Sequence, residues 1–201
     1  MHSKEPIQVA RLVKDAFENI GFSYAVVGSL ASSLHGVPRS TQDVDIIANI
    51  EKSCIDPFVE ALEEDFYIDK AMVEEAVNNH SSFNLIHLET MLKVDVFALG
   101  SNSVEQNELK RAERYLVDQE DGIEFIVAKP EDVLIQKLKW YRQAGEVSDQ
   151  QWKDVLGILE VQEGKLDAQY LEDTAQELGV QDLLLLAVQE SETDFRTPDL
   201  S

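Results

Sequence analysis

The sequence predicts an α/β (α+β) protein, with a small mixed sheet and interleaved helices in its first two thirds and a helical subdomain after them. Three observations carry this. Short β-rich apolar runs alternate with helical stripes up to residue 128, helical periodicity alone persists from Pro130 onward, and glycines or prolines punctuate the joins. The boundary falls near Lys129, giving a core over residues 1–128, a helical part over 129–190 and a polar tail over 191–201 that is expected to be flexible.

The elements follow in order. Ile7, Ala10, Val13, Phe17 and Ile20 repeat at helical spacing across residues 6–20, and Gly21 stops the stripe. Residues 22–27 are β-rich and run into Gly28; a short helix over 29–35 closes at Gly36, with Pro38 just beyond. Residues 43–50 form a second strand, 56–64 a helix and 66–68 a short strand, and the polar stretch 70–79 is compatible with a helix. Strands over 83–88 and 92–99 flank a hairpin turn at Glu89 and Thr90. Residues 104–114 read as a charged helix and 123–128 as a strand. Four helices complete the chain, over 131–144, 149–161, 168–178 and 180–190. Pro130 suits a first helical position, Ser148 with Gln151 makes a capping box, Asp167 caps the next helix and Gly179 ends it.

Composition narrows the function classes. Of 201 residues, 44% are hydrophobic, enough to bury a core. Thirty-nine acidic residues against 17 basic ones give a formal charge of -22, which disfavours extensive nonspecific nucleic-acid binding while leaving room for a local basic cleft. Cys54 is the single cysteine, so neither an intramolecular disulfide nor a cysteine-based zinc site can form, as fits a reducing compartment. The first dozen residues lack an apolar signal region, and no apolar run approaches a membrane span. The expectation is a cytoplasmic protein without membrane partners.

Three clusters carry chemistry. In Val26-Val27-Gly28-Ser29-Leu30 an apolar strand enters a glycine and a hydroxyl residue opens a helix. Glycine lets a polyphosphate approach the backbone, and a helix N-terminus offers free N–H groups. An ordinary strand-to-helix turn with Ser29 as cap has the same sequence. In Asp43-Val44-Asp45-Ile46-Ile47 strand alternation sends both carboxylates to one face, where they repel unless cations or hydrogen bonds compensate; a solvent-facing strand end with two surface acids has the same sequence. Such hard oxygen ligands suit Mg2+ or Mn2+ shared with substrate phosphates. Asp95, in Lys93-Val94-Asp95-Val96-Phe97, either completes a metal cluster and takes a proton or pairs with Lys93 or an arginine.

The succession Gly28-Ser29, Asp43-x-Asp45 and Asp95 on a later strand resembles the polymerase-beta-type nucleotidyltransferase superfamily over roughly residues 24–99. The stretch 34–41, Leu-His-Gly-Val-Pro-Arg-Ser-Thr, is similar to many small bacterial members. The resemblance implies that Gly28 and Ser29 hold a nucleoside triphosphate and that Asp43, Asp45 and Asp95 bind metal. It also implies that Asp95 activates an acceptor hydroxyl on a protein, an RNA or a small molecule. The helical third is similar to small uncharacterised bacterial nucleotidyltransferases and, more loosely, to abortive-infection nucleotidyltransferase toxins. Lys137 matches the toxins' lysine helix and Asp154 their basic-residue–Asp helix, whereas Gly157 stands where the toxins place another acid.

From the residues themselves, Lys137 borders an apolar stripe and either reaches phosphates from a cleft or runs its stem along the core edge. Asp154 is expected to pair with a basic residue of the preceding helix. Arg39 either contacts a phosphate or is solvated. His35 and His87 lack metal-like spacing, and Trp140 and Trp152 suit helical core stripes. The functions in play are a nucleotidyltransferase, a nucleotide-binding interaction module without turnover, and the toxin of a toxin–antitoxin pair.

Overall fold

The computed structural model describes residues 4–41, 43–100 and 103–191; of the expected tail, only Ser191 lies within the described residues. The chain forms two compact units, Met1–Leu30 with Ser40–Ala128 and Ala31–Arg39 with Lys129–Ser201. Residues 31–39 thus join the helical part, which a division at Lys129 alone does not anticipate.

The first unit is built on a seven-stranded mixed sheet in the order β3-β4-β5-β2-β1-β7-β6. Its strands are β1 (Ser23–Val27), β2 (Asp43–Asn49), β3 (Phe66–Tyr67), β4 (Ser82–His87), β5 (Lys93–Ala98), β6 (Glu113–Asp118) and β7 (Ile123–Val127). β1 runs antiparallel to β2 and parallel to β7, and β2 runs parallel to β5. Helices α1 (Lys4–Ile20), α3 (Ile55–Leu62), α4 (Lys70–Asn79) and α5 (Ser103–Arg111) belong with it, and α2 (Gly28–His35) begins in it.

The core follows the periodicities. Val13 and Phe17 of α1 are fully buried, and Phe17 stacks on Phe58 of α3 with ring centroids 5.1 Å apart. Phe58 in turn meets Phe83 of β4 edge-on. Val44, Ile46, Val94, Val96 and Leu85 are also buried, all on one face of the central strands. Asp69 caps α4 through the amides of Ala71 and Met72, which makes a helix of that polar stretch.

Two expectations in this unit need correction. The segment from 104 to 114 is not one helix: α5 ends at Arg111 and Glu113–Asp118 is a strand. β6 is the sheet edge, most of its residues are not buried, and it carries Glu113, Arg114 and Asp118, so it lacks the apolar alternation of an inner strand. The β4–β5 turn is also wider than a Glu89-Thr90 pair. Met91 adopts φ 59° and its amide bonds the His87 carbonyl, while Thr90 Oγ1 bonds His87 Nδ1 at 2.9 Å.

The second unit packs α6 (Pro130–Gln143), α7 (Asp149–Val161), α8 (Ala168–Glu177) and α9 (Gln181–Ser191). Leu134, Leu138, Val155, Ile158, Leu171 and Ala187 are fully buried. Asp167 accepts the amide of Tyr170, and Gly179 ends α8 with φ 68°. Only half of the capping box forms: Ser148 accepts the Gln151 amide, but Gln151 Oε1 has no partner. Trp152 packs on Tyr141 at 5.1 Å and donates to Glu190, as a helix-stripe residue does. Gly36 lies against the α7 backbone; a Cβ there would stand 2.9 Å from Gly157 C, and one on Gly157 would stand 3.2 Å from Val37.

Candidate active site

The sheet register assembles the acidic face. Val27, the last residue of β1, is the partner of Asp45, and the chain then turns at Gly28 with φ 63°. A Cβ on Gly28 would lie 2.0 Å from Asp45 Oδ2 and 2.6 Å from its Cγ, so the carboxylate occupies the space that any other residue's side chain would need. Ser29 follows, half-buried, in the first turn of α2.

Across the parallel β2–β5 pair, Asp45 faces Asp95 and Asp43 faces Lys93. Alternation puts Asp43, Asp45, Lys93 and Asp95 on the face opposite the buried valines, and Asn84 of β4 joins them as the register partner of Asp95. Carboxylates this close repel one another, and the chain supplies a cation among them. Lys93 Nζ lies 2.7 Å from Asp95 Oδ2, with side chains 42% and 22% exposed. The Lys93 pKa is raised, chiefly by the hydrogen bond to Asp95; burial opposes this, while the charges of Asp95, Asp43 and Asp45 all add to it.

Among the described residues no three acidic, imidazole or thiol side chains converge closely enough to hold a metal alone. The donor set still fits Mg2+ or Mn2+, because such ions take one or two carboxylates and complete their shell with phosphate and water oxygens. The Asp45 carboxylate beside Gly28 and its neighbour Asp95 are oxygen donors of that kind.

Arg39 and Lys137 belong to the helical unit, and both engage Asp154. Arg39 binds it through two bonds, Nε to Oδ1 at 2.8 Å and Nη2 to Oδ2 at 2.9 Å. Lys137, 1% exposed, donates to Oδ2 at 2.9 Å; Ser32 donates to Oδ2 at 3.3 Å and Gln150 to Oδ1 at 2.9 Å. The pairing of Asp154 with the preceding helix is the one read from the sequence. Burial by itself would raise the Asp154 pKa, but the hydrogen bonds from Arg39 and Lys137 outweigh it and hold the carboxyl at about 2. Lys137 therefore points into its unit, not out to solvent.

Two residues of the acidic face were not among the candidate site residues. In the sequence Lys93 reads only as a structural partner of Asp95, and Asn84 carries no functional pattern. The triplet Lys93-Val94-Asp95 carried a signal for the first, since residues two apart on a strand share a face. Nothing in sequence pointed to the second.

This architecture matches the fold of solved nucleotidyltransferase structures, as the resemblance implied. No family profile and no curated protein sequence matches the chain. Among solved structures, the chain is similar to an antigenic nucleotidyltransferase-like protein from Paracoccidioides brasiliensis, with TM-score 0.52, 17% identity, and 90% of this chain and 91% of that one covered. It is also similar to the lincosamide antibiotic adenylyltransferase LnuA in its lincomycin-bound form, with TM-score 0.51, 13% identity and 79% and 97% covered. A third is the antibiotic-resistance factor ANT(2'')-Ia, with TM-score 0.53, 10% identity and 93% and 98% covered. At such identities the likeness is one of fold.

Proposed function

We propose that this protein is a metal-dependent nucleotidyltransferase of the cytoplasm, moving a nucleoside monophosphate from a nucleoside triphosphate to an acceptor hydroxyl with release of pyrophosphate. The observation that supports it best is the packing of Asp45 against Gly28. It brings a glycine turn suited to phosphate and a carboxylate pair, Asp45 beside Asp95, to one place on the sheet.

In this reading Gly28 and Ser29 bind the triphosphate through backbone N–H groups and the Ser29 hydroxyl. Asp43, Asp45 and Asp95 would hold Mg2+ or Mn2+, which when bound neutralises phosphate charge and favours pyrophosphate as leaving group. Asp95 accepts the proton of the acceptor hydroxyl as its oxygen bonds to the α-phosphorus. The bond from that phosphorus to the bridging oxygen breaks, and pyrophosphate leaves with the electron pair. Arg39 and Lys137 act through Asp154 by fixing the helical unit. An acceptor small enough not to meet the -22 charge as a long phosphate backbone is preferred to a large RNA.

A nucleotide-binding module without turnover is the second reading, favoured by one observation: Lys93 covers the Asp95 oxygen that the chemistry needs. No observation on the described residues favours the toxin reading, and Gly157 stands where the toxins tend to place another acid.

The test compares wild type with Asp95→Asn, incubated with each labelled triphosphate, Mg2+ and cell extract. Wild type is expected to form a labelled product. The variant should bind nucleotide but transfer roughly 10²–10⁴-fold more slowly, the usual worth of general-base help. Nucleotide binding by both with no product from wild type would favour the module, and equal product from both would remove Asp95 from the mechanism.

A further inference from the structure

We infer that Lys93 is an internal counter-ion of the acidic face, one that occupies the carboxylates in the metal-free protein and has to release Asp95 before a divalent cation can bind. The inference rests on the proposed metal site and adds a control over its loading.

The register is what carries it. Lys93 lies two residues before Asp95 on β5, so the two share a face, and its cross-strand partner is Asp43 while that of Asp95 is Asp45. One ammonium is thereby set among three carboxylates on two adjacent strands. It bonds Asp95 Oδ2 at 2.7 Å, an oxygen that serves a metal or accepts a proton in the proposed reaction.

The ammonium is also suited to leave. A lysine is a compact charge on a flexible stem, and this one is 42% exposed, so water can take over its hydration as it swings out. Half-exposed pairs of this kind are weak, which makes displacement by a doubly charged ion cheap. An arginine in the same place would grip the carboxylate with two parallel bonds and yield less readily.

The consequence has a definite sign. Removing the ammonium should make metal binding tighter, and strengthening its grip should make it weaker. Binding of Mn2+ together with a non-hydrolysable triphosphate, followed by the enhanced water-proton relaxation of protein-bound Mn2+, is compared in wild type, Lys93→Met, Lys93→Arg and Asp45→Asn. Lys93→Met is expected to bind about two- to five-fold more tightly than wild type, the scale of a half-exposed pair. Lys93→Arg should bind more weakly, and it keeps the test open if the methionine variant folds poorly. The metal-free melting temperature of Lys93→Met should also fall, because Asp95 then loses its ion pair while Asp45 and Asp43 stay on the same face. Mn2+ should restore that temperature by a larger shift than it gives wild type. Unchanged or weaker binding in Lys93→Met, with binding lost in Asp45→Asn, would overturn the counter-ion role and leave the metal site standing. Equal binding in wild type and Asp45→Asn would overturn both.

Discussion

The protein holds two charge centres of opposite balance. On the sheet, Asp43, Asp45 and Asp95 share a face with one ammonium, Lys93, and the paired side chains of Lys93 and Asp95 are 42% and 22% exposed. In the helical unit, one carboxylate, Asp154, receives both Arg39 and Lys137, with Asp154 6% and Lys137 1% exposed. The first centre sets three carboxylates on one face beside Lys93, and its ion pair is partly open to solvent. The second has its carboxylate oxygens saturated by Arg39, Lys137, Ser32 and Gln150. A carboxylate with spare lone pairs near water can take a ligand; one saturated and buried holds helices together. Both centres contain Asp and Lys, so residue type does not separate them. Burial and stoichiometry do.

The contrast breaks most clearly on removal of a carboxylate. Asp154→Ala removes the carboxylate that pairs with buried Lys137 and with Arg39 and should cost about 3–5 kcal/mol of stability. Asp95→Ala removes a half-exposed acid from a repelling group and should change stability by less than about 1 kcal/mol in either direction. Denaturant unfolding of the two variants checks this, and equal losses would erase the distinction between the centres.

A smaller effect is expected at the glycine. Gly28→Ala puts a Cβ where Asp45 Oδ2 now lies and forces a left-handed φ of 63° on a residue with a side chain. The backbone term alone is roughly 1–2 kcal/mol. Displacement of Asp45 should in addition weaken triphosphate binding. Calorimetry with a non-hydrolysable triphosphate would show it, and affinity equal to wild type would separate the turn from the site.

A further effect concerns acid. Asp154 has its pKa lowered to about 2, so its contribution is fully present above the unfolded-state value of about 3.9 and is lost as pH falls toward 2. Stability of wild type should fall across that window more steeply than that of Asp154→Asn, which has no carboxyl to protonate there. Parallel curves from pH 5 to pH 2 would show that other acids dominate.

Local patterns were legible wherever their cause is local. The α7 span Asp149–Val161 and the capping of α8 by Asp167 follow from periodicity and from a side chain reaching an amide three residues on. The shared face of Asp43 and Asp45 follows from strand alternation. β6 was missed because an edge strand need not bury one side, and its charged residues fit a helix equally well. The Gly28 turn was legible as a glycine next to a hydroxyl residue, but not the carboxylate packed against it.

By itself, then, the sequence determined the mixed class of the fold, most helix and strand spans, and a set of candidate site residues. Tertiary structure decided which of them meet. The pairing of Asp45 with both Val27 and Asp95 depends on the register of three strands far apart in the chain. The assignment of residues 31–39 to the helical unit accompanies the ion pair between Arg39 and Asp154, which are 115 residues apart. Periodicity describes how a segment presents its own side chains. It contains nothing about which distant segment completes a hydrogen-bond ladder or neutralises a charge, and those pairings are what separate an open acidic face from a buried ion cluster.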